Sequence, residues 1–120
     1  MARVLALVDD LFFQAKLIET AKHVGVELKT CGTGEALLSE IAKESPSLVI
    51  VDLNARSQPI AALEGIRSGG VSLPTIAFLS HVQTELADRA RAAGCNVVMP
   101  RSQFTRELAT ILSRAKSHSS

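Results

Sequence analysis

Short, uninterrupted runs of apolar residues recur along the chain. Three of them, at 4–8, 48–51 and 75–79, are rich in Val, Ile, Leu and Ala and show no polar alternation. Runs of this length are typical of strands that are covered on both faces, as in a parallel sheet. Two weaker candidates lie at 27–31 and 96–99. The pattern therefore predicts five strands.

Between the predicted strands, apolar residues recur three or four positions apart, which is the period of a helix. Phe13, Leu17 and Ala21 share one such face, and similar faces follow the second, fourth and fifth strands. The segment 54–70 has a weaker pattern, so we expect at most a short third helix there. Strands and helices thus alternate through a single domain over residues 1–120, with a frayed tail at 117–120.

Polar residues stand where the predicted strands end. Asp9 and Asp10 follow the first strand, Asp52 the third, Ser80 the fourth and Arg101 the fifth. A repeated strand–helix order with short connections requires right-handed crossovers, which place helices on both faces of a parallel sheet. Ligands of such sheets bind beyond the carboxyl ends of the strands. The sequence therefore predicts a polar site at this edge.

Three of these residues are acidic, and their charges oppose close approach. Two carboxylates about 4 Å apart repel by roughly 4 kcal/mol at an effective dielectric near 20. A cluster of Asp9, Asp10 and Asp52 therefore needs a cation, and ligands that are all oxygen favour a hard ion such as Mg²⁺. For Asp10 alone, an alternative is that it caps the helix that follows.

The composition of the chain limits the kinds of partner that we expect it to bind directly. Thirteen Lys and Arg against twelve Asp and Glu leave a net charge of +1, and aromatic residues make up 3%. The chain thus lacks the basic field and the stacking rings that direct nucleic-acid binding uses. The apolar run at 4–8 is too short for a membrane span or a signal peptide, so we expect a cytoplasmic protein. Cys31 and Cys95 have no metal-ligand spacing and are predicted to be buried, reduced thiols.

Four segments, in this order and spacing, resemble the receiver domain of bacterial response regulators over nearly the whole chain. They are LALVDD at 5–10, SLVIVDLN at 47–54, LPTIAFLS at 73–80 and GCNVVMPRSQF at 94–104. The resemblance implies a flavodoxin-like (βα)5 sandwich in the α/β class, with a parallel five-stranded sheet in the order 2-1-3-4-5. It also implies a signalling role in a two-component system or phosphorelay.

The resemblance assigns a role to each residue at the predicted edge. Asp52 would accept the phosphoryl group, Asp10 would bind Mg²⁺ directly and Asp9 would bind it through water. The backbone carbonyl of Asn54 would complete the protein's share of the metal ligands.

Ser80 and Arg101 would each bind an oxygen of the phosphoryl group. The implied partners are a histidine kinase or phosphotransfer protein and a downstream protein, and a weak homodimer is compatible with them. Any catalysis would be limited to the chain's own phosphorylation and dephosphorylation.

The cation position departs from the family pattern. The family has a Lys seven residues after the glycine that precedes the fifth strand, and the same count from Gly94 reaches Arg101. Alignment on Pro100 would instead put Met99 there and remove the charge. We prefer the count from Gly94, because it needs no gap and retains a positive group.

Two further departures raise an alternative function. The loop at 55–59 lacks the Met-Pro pair and the Gly of the family, and Val98 stands where the family has an aromatic residue. Together with the Lys-to-Arg difference, they are compatible with a pseudo-receiver, which has the same fold but acts as a protein-interaction module without phosphorylation.

Three other residues near the site have structural interpretations. Phe13 is predicted to be a core contact of the first helix, and Thr33 to cap the second helix. For Phe12, exposure at the mouth of the site and burial remain equal alternatives.

Overall fold

Strands and helices alternate along the whole described chain. The structure, a computed structural model, describes residues 3–70, 72–80 and 83–117. The elements are β1 (Arg3–Leu7), α1 (Leu11–Val24), β2 (Glu27–Cys31), α2 (Gly34–Lys43), β3 (Leu48–Asp52), α3 (Pro59–Ser68), β4 (Thr75–Leu79), α4 (Thr84–Ala92), β5 (Val97–Pro100) and α5 (Arg101–Ser117). Ser117 ends α5, and the rest of the predicted frayed tail lies outside the described residues.

All strand pairs are parallel, and the sheet order is β2-β1-β3-β4-β5, as the resemblance implied. Every residue of β1 and β3 is buried, because helices cover both faces of these inner strands. Leu7 pairs with Val51, and Asp52 pairs with Phe78. This register brings the ends of β1, β3 and β4 to one level, so the polar residues that follow them share one edge.

Two hydrophobic cores lie on opposite faces of the sheet. One is formed with α2, α3 and α4, and the other with α1 and α5. The second core contains three packed rings: Phe13 lies 5.0 Å from Phe78 and 6.0 Å from Phe104 between ring centroids, and Phe78 and Phe104 stack at 4.6 Å. Phe13 is thus a core contact, as predicted.

The third helix is longer than the sequence pattern predicted. It has ten residues and starts with Pro59 in its first turn, where a missing backbone N–H removes no helical hydrogen bond. Its buried residues are Pro59, Ala62, Leu63 and Ile66, a spacing that faces the core at each turn. The start of this helix was hard to predict because Gln58, the N-cap, has no side-chain cap hydrogen bond.

The predictions for Thr33 and the two cysteines are confirmed. The hydroxyl oxygen of Thr33 accepts a hydrogen bond from the backbone N–H of Ala36 at 3.1 Å and so caps α2. Cys31 and Cys95 are buried free thiols. Of the helices in the described part of the chain, none has the length and apolar character that crossing a membrane requires.

Candidate functional site

Asp52, the last residue of β3, lies in the middle of the predicted edge. It is 5% exposed, and its Oδ1 accepts a hydrogen bond from the backbone N–H of Asn54 at 2.9 Å. Burial raises the pKa of Asp52; the Asn54 N–H and the charge of Arg101 oppose this shift, and the charges of Asp9 and Asp10 add to it. Burial is thus the main influence on the pKa of Asp52, and the charges of Arg101, Asp9 and Asp10 are smaller ones.

The two acids after β1 are held by different partners. Asp9 is exposed, and its Oδ2 accepts a hydrogen bond from the backbone N–H of Arg56 at 2.9 Å, which ties it to the β3–α3 loop. Asp10 caps α1, because its Oδ1 accepts hydrogen bonds from the N–H groups of Phe12 and Phe13 at 3.0 and 3.3 Å. The capping alternative for Asp10 is therefore correct, but it describes only one of the two carboxylate oxygens.

The other oxygen of Asp10 is paired with Arg101, the first residue of α5. Nη2 of Arg101 lies 3.1 Å from Oδ2 of Asp10, and its guanidinium carbon lies 4.3 Å from the centroid of the Phe13 ring. The hydrogen bond from Arg101 is the main reason that the pKa of Asp10 is lowered, and the capping N–H groups add to it. Met99 is buried in the core instead, so the count from Gly94 identifies the cation that reaches the site.

Asn54 connects this edge to the fourth strand and helix. Its side-chain Oδ1 accepts a hydrogen bond from the backbone N–H of Ser80 at 2.6 Å, and its Nδ2 donates to Oε1 of Gln83 at 2.9 Å. The sequence predicted a role for the Asn54 backbone carbonyl alone. It missed the side-chain bridge because Gln83 is 29 residues away and lies in no motif.

Comparison with solved structures places this geometry in a known fold. The receiver domain of the Francisella response regulator 1452 matches with a TM-score of 0.84 and 16% identity over 100% of both chains. The chemotaxis response regulator CheY4 of Vibrio cholerae matches with a TM-score of 0.81 and 21% identity over 96% of this chain and 98% of that one. The chain has the receiver-domain fold.

A longer protein contains the same fold as one part. NtrX from Brucella abortus, in a complex with ADP, matches with a TM-score of 0.80 and 22% identity over 98% of this chain but only 27% of that one. No protein-family profile and no curated protein matches the chain. At these identities the likeness is one of fold, so the chemistry of the site rests on its own residues.

The loop after β3 of this receiver fold has an unusual shape. Gln58 has φ 55° and ψ 63°, a left-handed backbone conformation that residues other than glycine rarely adopt. On the other side of the site, Leu11 and Phe12 are 76% and 91% exposed. The exposed alternative for Phe12 is therefore correct, and the pair forms an apolar surface beside the acids.

The residues that the resemblance assigns to Mg²⁺ fit a hard cation by their chemistry, since they supply only carboxylate and carbonyl oxygens. The positions of these residues in the structure have to be considered apart from their chemistry. Within residues 3–70, 72–80 and 83–117, no group of three or more His, Cys, Asp or Glu side chains is gathered as a metal ion would require. Asp9, Asp10 and Asp52 share the edge, but Arg101 is the cation that neutralises Asp10.

Proposed function

We propose that this chain is a receiver-type signalling module that accepts a phosphoryl group on Asp52. The observation that carries the proposal is the position of Asp52: it ends the central strand β3, is 5% exposed and has one oxygen bound to the Asn54 N–H. The charges of Arg101, Asp9 and Asp10 act on its pKa. Ligand sites of open parallel sheets lie at such an edge. The receiver-domain fold supports the same assignment.

The chemistry that Asp52 would perform is an in-line displacement at phosphorus. A carboxylate oxygen of Asp52 forms an O–P bond as the P–N bond of a phosphohistidine breaks, and the leaving imidazole takes up a proton from water. The donor would be a histidine kinase or phosphotransfer protein, and a downstream protein would read the product.

Other residues of the edge would hold the groups that react. Asp9, Asp10, Asp52 and the carbonyl of Asn54 would bind Mg²⁺, which would neutralise the charge on the phosphoryl oxygens. The Ser80 hydroxyl and the Arg101 guanidinium would donate hydrogen bonds to two of those oxygens. The Asn54 bridge to Ser80 and Gln83 would carry a change at Asp52 towards α4.

A second candidate function is supported by one observation. The ion pair between Arg101 and Asp10 neutralises one of the three acids within the chain, without a metal ion or a phosphoryl group. In this pseudo-receiver, the same fold would bind a protein partner while Arg101 stays on Asp10. The two functions differ in whether the edge responds to a phosphoryl group.

Beryllofluoride, which binds an aspartate as a mimic of a phosphoryl group, separates the two functions. With Mg²⁺ present, we expect backbone amide NMR signals of Asp52, Asn54 and Ser80 to shift in the wild-type chain. Asp52→Asn should abolish the shifts, whereas Asp88→Asn, which removes an exposed acid on α4, should keep them. A wild-type chain that does not respond would favour the pseudo-receiver.

A further inference from the structure

Both carboxylate oxygens of Asp10 accept hydrogen bonds from the protein itself. Oδ1 accepts two backbone hydrogen bonds from the first turn of α1, and Oδ2 accepts the hydrogen bond from Arg101. The capping bonds stabilise α1 whatever binds at the site. The bond to Arg101 is the one that a ligand of Asp10 has to replace.

Arg101 is held in this place by a second contact that does not involve an acid. Its guanidinium lies over the ring of Phe13, and Phe13 is 5% exposed and fixed between Phe78 and Phe104. A guanidinium over an aromatic face is attracted by the electron density of the ring. The Arg101 side chain is 34% exposed, so it also has room to move towards solvent.

A divalent cation and the guanidinium need the same oxygen of Asp10. Both are positive and repel each other at close range, so they cannot share one carboxylate oxygen without a loss of binding free energy. We infer that Arg101 is a built-in competitor for the divalent cation at Asp10, and that Phe13 is the positioning residue that holds it there. The inference rests on the proposed function, because it concerns the regulation of the same cation site.

The competition predicts how strongly the site binds Mg²⁺. One neighbouring charge changes the proton affinity of a carboxylate by about tenfold to a thousandfold. Both side chains of the pair are about one third exposed, so solvent screens their interaction. Removal of the competing charge should therefore strengthen Mg²⁺ binding by about tenfold, the lower end of that range. In the wild-type chain, the site is expected to open to the cation only in the fraction of molecules in which Arg101 has left Asp10.

Isothermal titration calorimetry with Mg²⁺ at constant ionic strength tests the inference without any phosphoryl donor. Arg101→Met keeps an apolar side chain on Phe13 but removes the charge, and its Kd for Mg²⁺ should fall by about tenfold. The matched control is Arg106→Met, which removes an exposed charge from the same helix and should leave the Kd unchanged. Circular dichroism verifies that each variant is folded.

Two more variants report on the positioning residue and on the site. Phe13→Leu removes the ring but keeps the ion pair, so it should strengthen Mg²⁺ binding less than Arg101→Met does. Asp10→Asn should abolish binding in the wild-type and Arg101→Met backgrounds. Arg101→Lys, which retains a charge without the planar fork, should lie between wild type and Arg101→Met.

The outcomes separate this inference from the proposed function. Tighter binding by Arg101→Met with an unchanged Arg106→Met supports the competition. The same Kd for wild type, Arg101→Met and Arg101→Lys would overturn the competition and leave the cation site in place. Absence of binding in every variant would reject the cation site itself, and the competition with it.

Discussion

Phe13→Leu tests whether the ring under Arg101 contributes to folding as its position requires. The substitution keeps an apolar side chain in the core but removes the ring, which contacts Phe78 at 5.0 Å and Phe104 at 6.0 Å. Each aromatic pair contributes about 0.5–1.5 kcal/mol beyond the burial of its area, so we expect a loss of about 1–3 kcal/mol. For a domain of this size, each kcal/mol corresponds to about 4 °C in Tm.

The contact of the ring with Arg101 adds a coupling that a double-mutant cycle isolates. The Arg101 side chain is 34% exposed, so its cation–π contact with Phe13 is expected to contribute about 0.5–1 kcal/mol to the free energy of unfolding. Arg101→Met together with Phe13→Leu should therefore destabilise the chain by less than the sum of the two single changes.

Urea unfolding followed by circular dichroism measures both quantities, because the chain has no Trp or Tyr to report by fluorescence. Phe12→Leu is the matched control: Phe12 is 91% exposed, so its replacement should change the free energy of unfolding by less than about 0.5 kcal/mol. Equal losses for Phe12→Leu and Phe13→Leu would refute the core position of Phe13. A coupling of zero would refute the contact with Arg101.

Three further predictions concern stability. Because burial raises the pKa of Asp52, the folded chain holds the carboxyl proton more tightly than the unfolded chain does. The contribution of Asp52 to the free energy of unfolding therefore falls as the pH rises from about 3.9 through the raised pKa. Asp52→Asn should thus have a higher urea midpoint than metal-free wild type at neutral pH, by a gap that narrows in acid; a gap that does not change with pH would contradict this. Thr33→Ala should lose about 1 kcal/mol of unfolding free energy in urea, and Thr33→Ser should retain most of it; equal losses would argue against the cap. Gly94→Ala should lower Tm, because Gly94 has φ 103° and an added Cβ would lie 3.3 Å from Arg67 Cδ; an unchanged Tm would refute the strain.

The fold was predictable because each inner strand is a continuous apolar run, and such a run has few alternatives to a covered parallel strand. The shared edge of Asp9, Asp10 and Asp52 was predictable because these acids stand at the carboxyl ends of two such runs. The contacts between them were not predictable. Arg101 pairs with Asp10, which lies 91 residues away in the sequence. A small change in the path of the chain would direct Arg101 to another acid of the edge, and no local sequence pattern encodes that choice.

The partners of buried polar groups were also not predictable from the sequence. Arg3 precedes the apolar run that predicted the first strand, and sequence reasoning gave it no role. In the structure it is 8% exposed, and its Nη2 lies 2.7 Å from Oε1 of Glu40 on α2. A charge at the start of a buried strand signals that a partner is needed, but it does not say which of the acids on the neighbouring helix provides it.

Mass spectrometry of the intact chain after incubation with acetyl phosphate and Mg²⁺ tests the central claim most directly. This donor carries its own leaving group, since its P–O bond breaks and acetate departs, so the chain has to supply only the nucleophile and charge stabilisation. We expect one added phosphoryl group, located at Asp52 and absent from Asp52→Asn, with faster labelling of Arg101→Lys. An unmodified wild-type chain, or a phosphoryl group that persists in Asp52→Asn, would contradict the proposal that Asp52 is the phosphoacceptor.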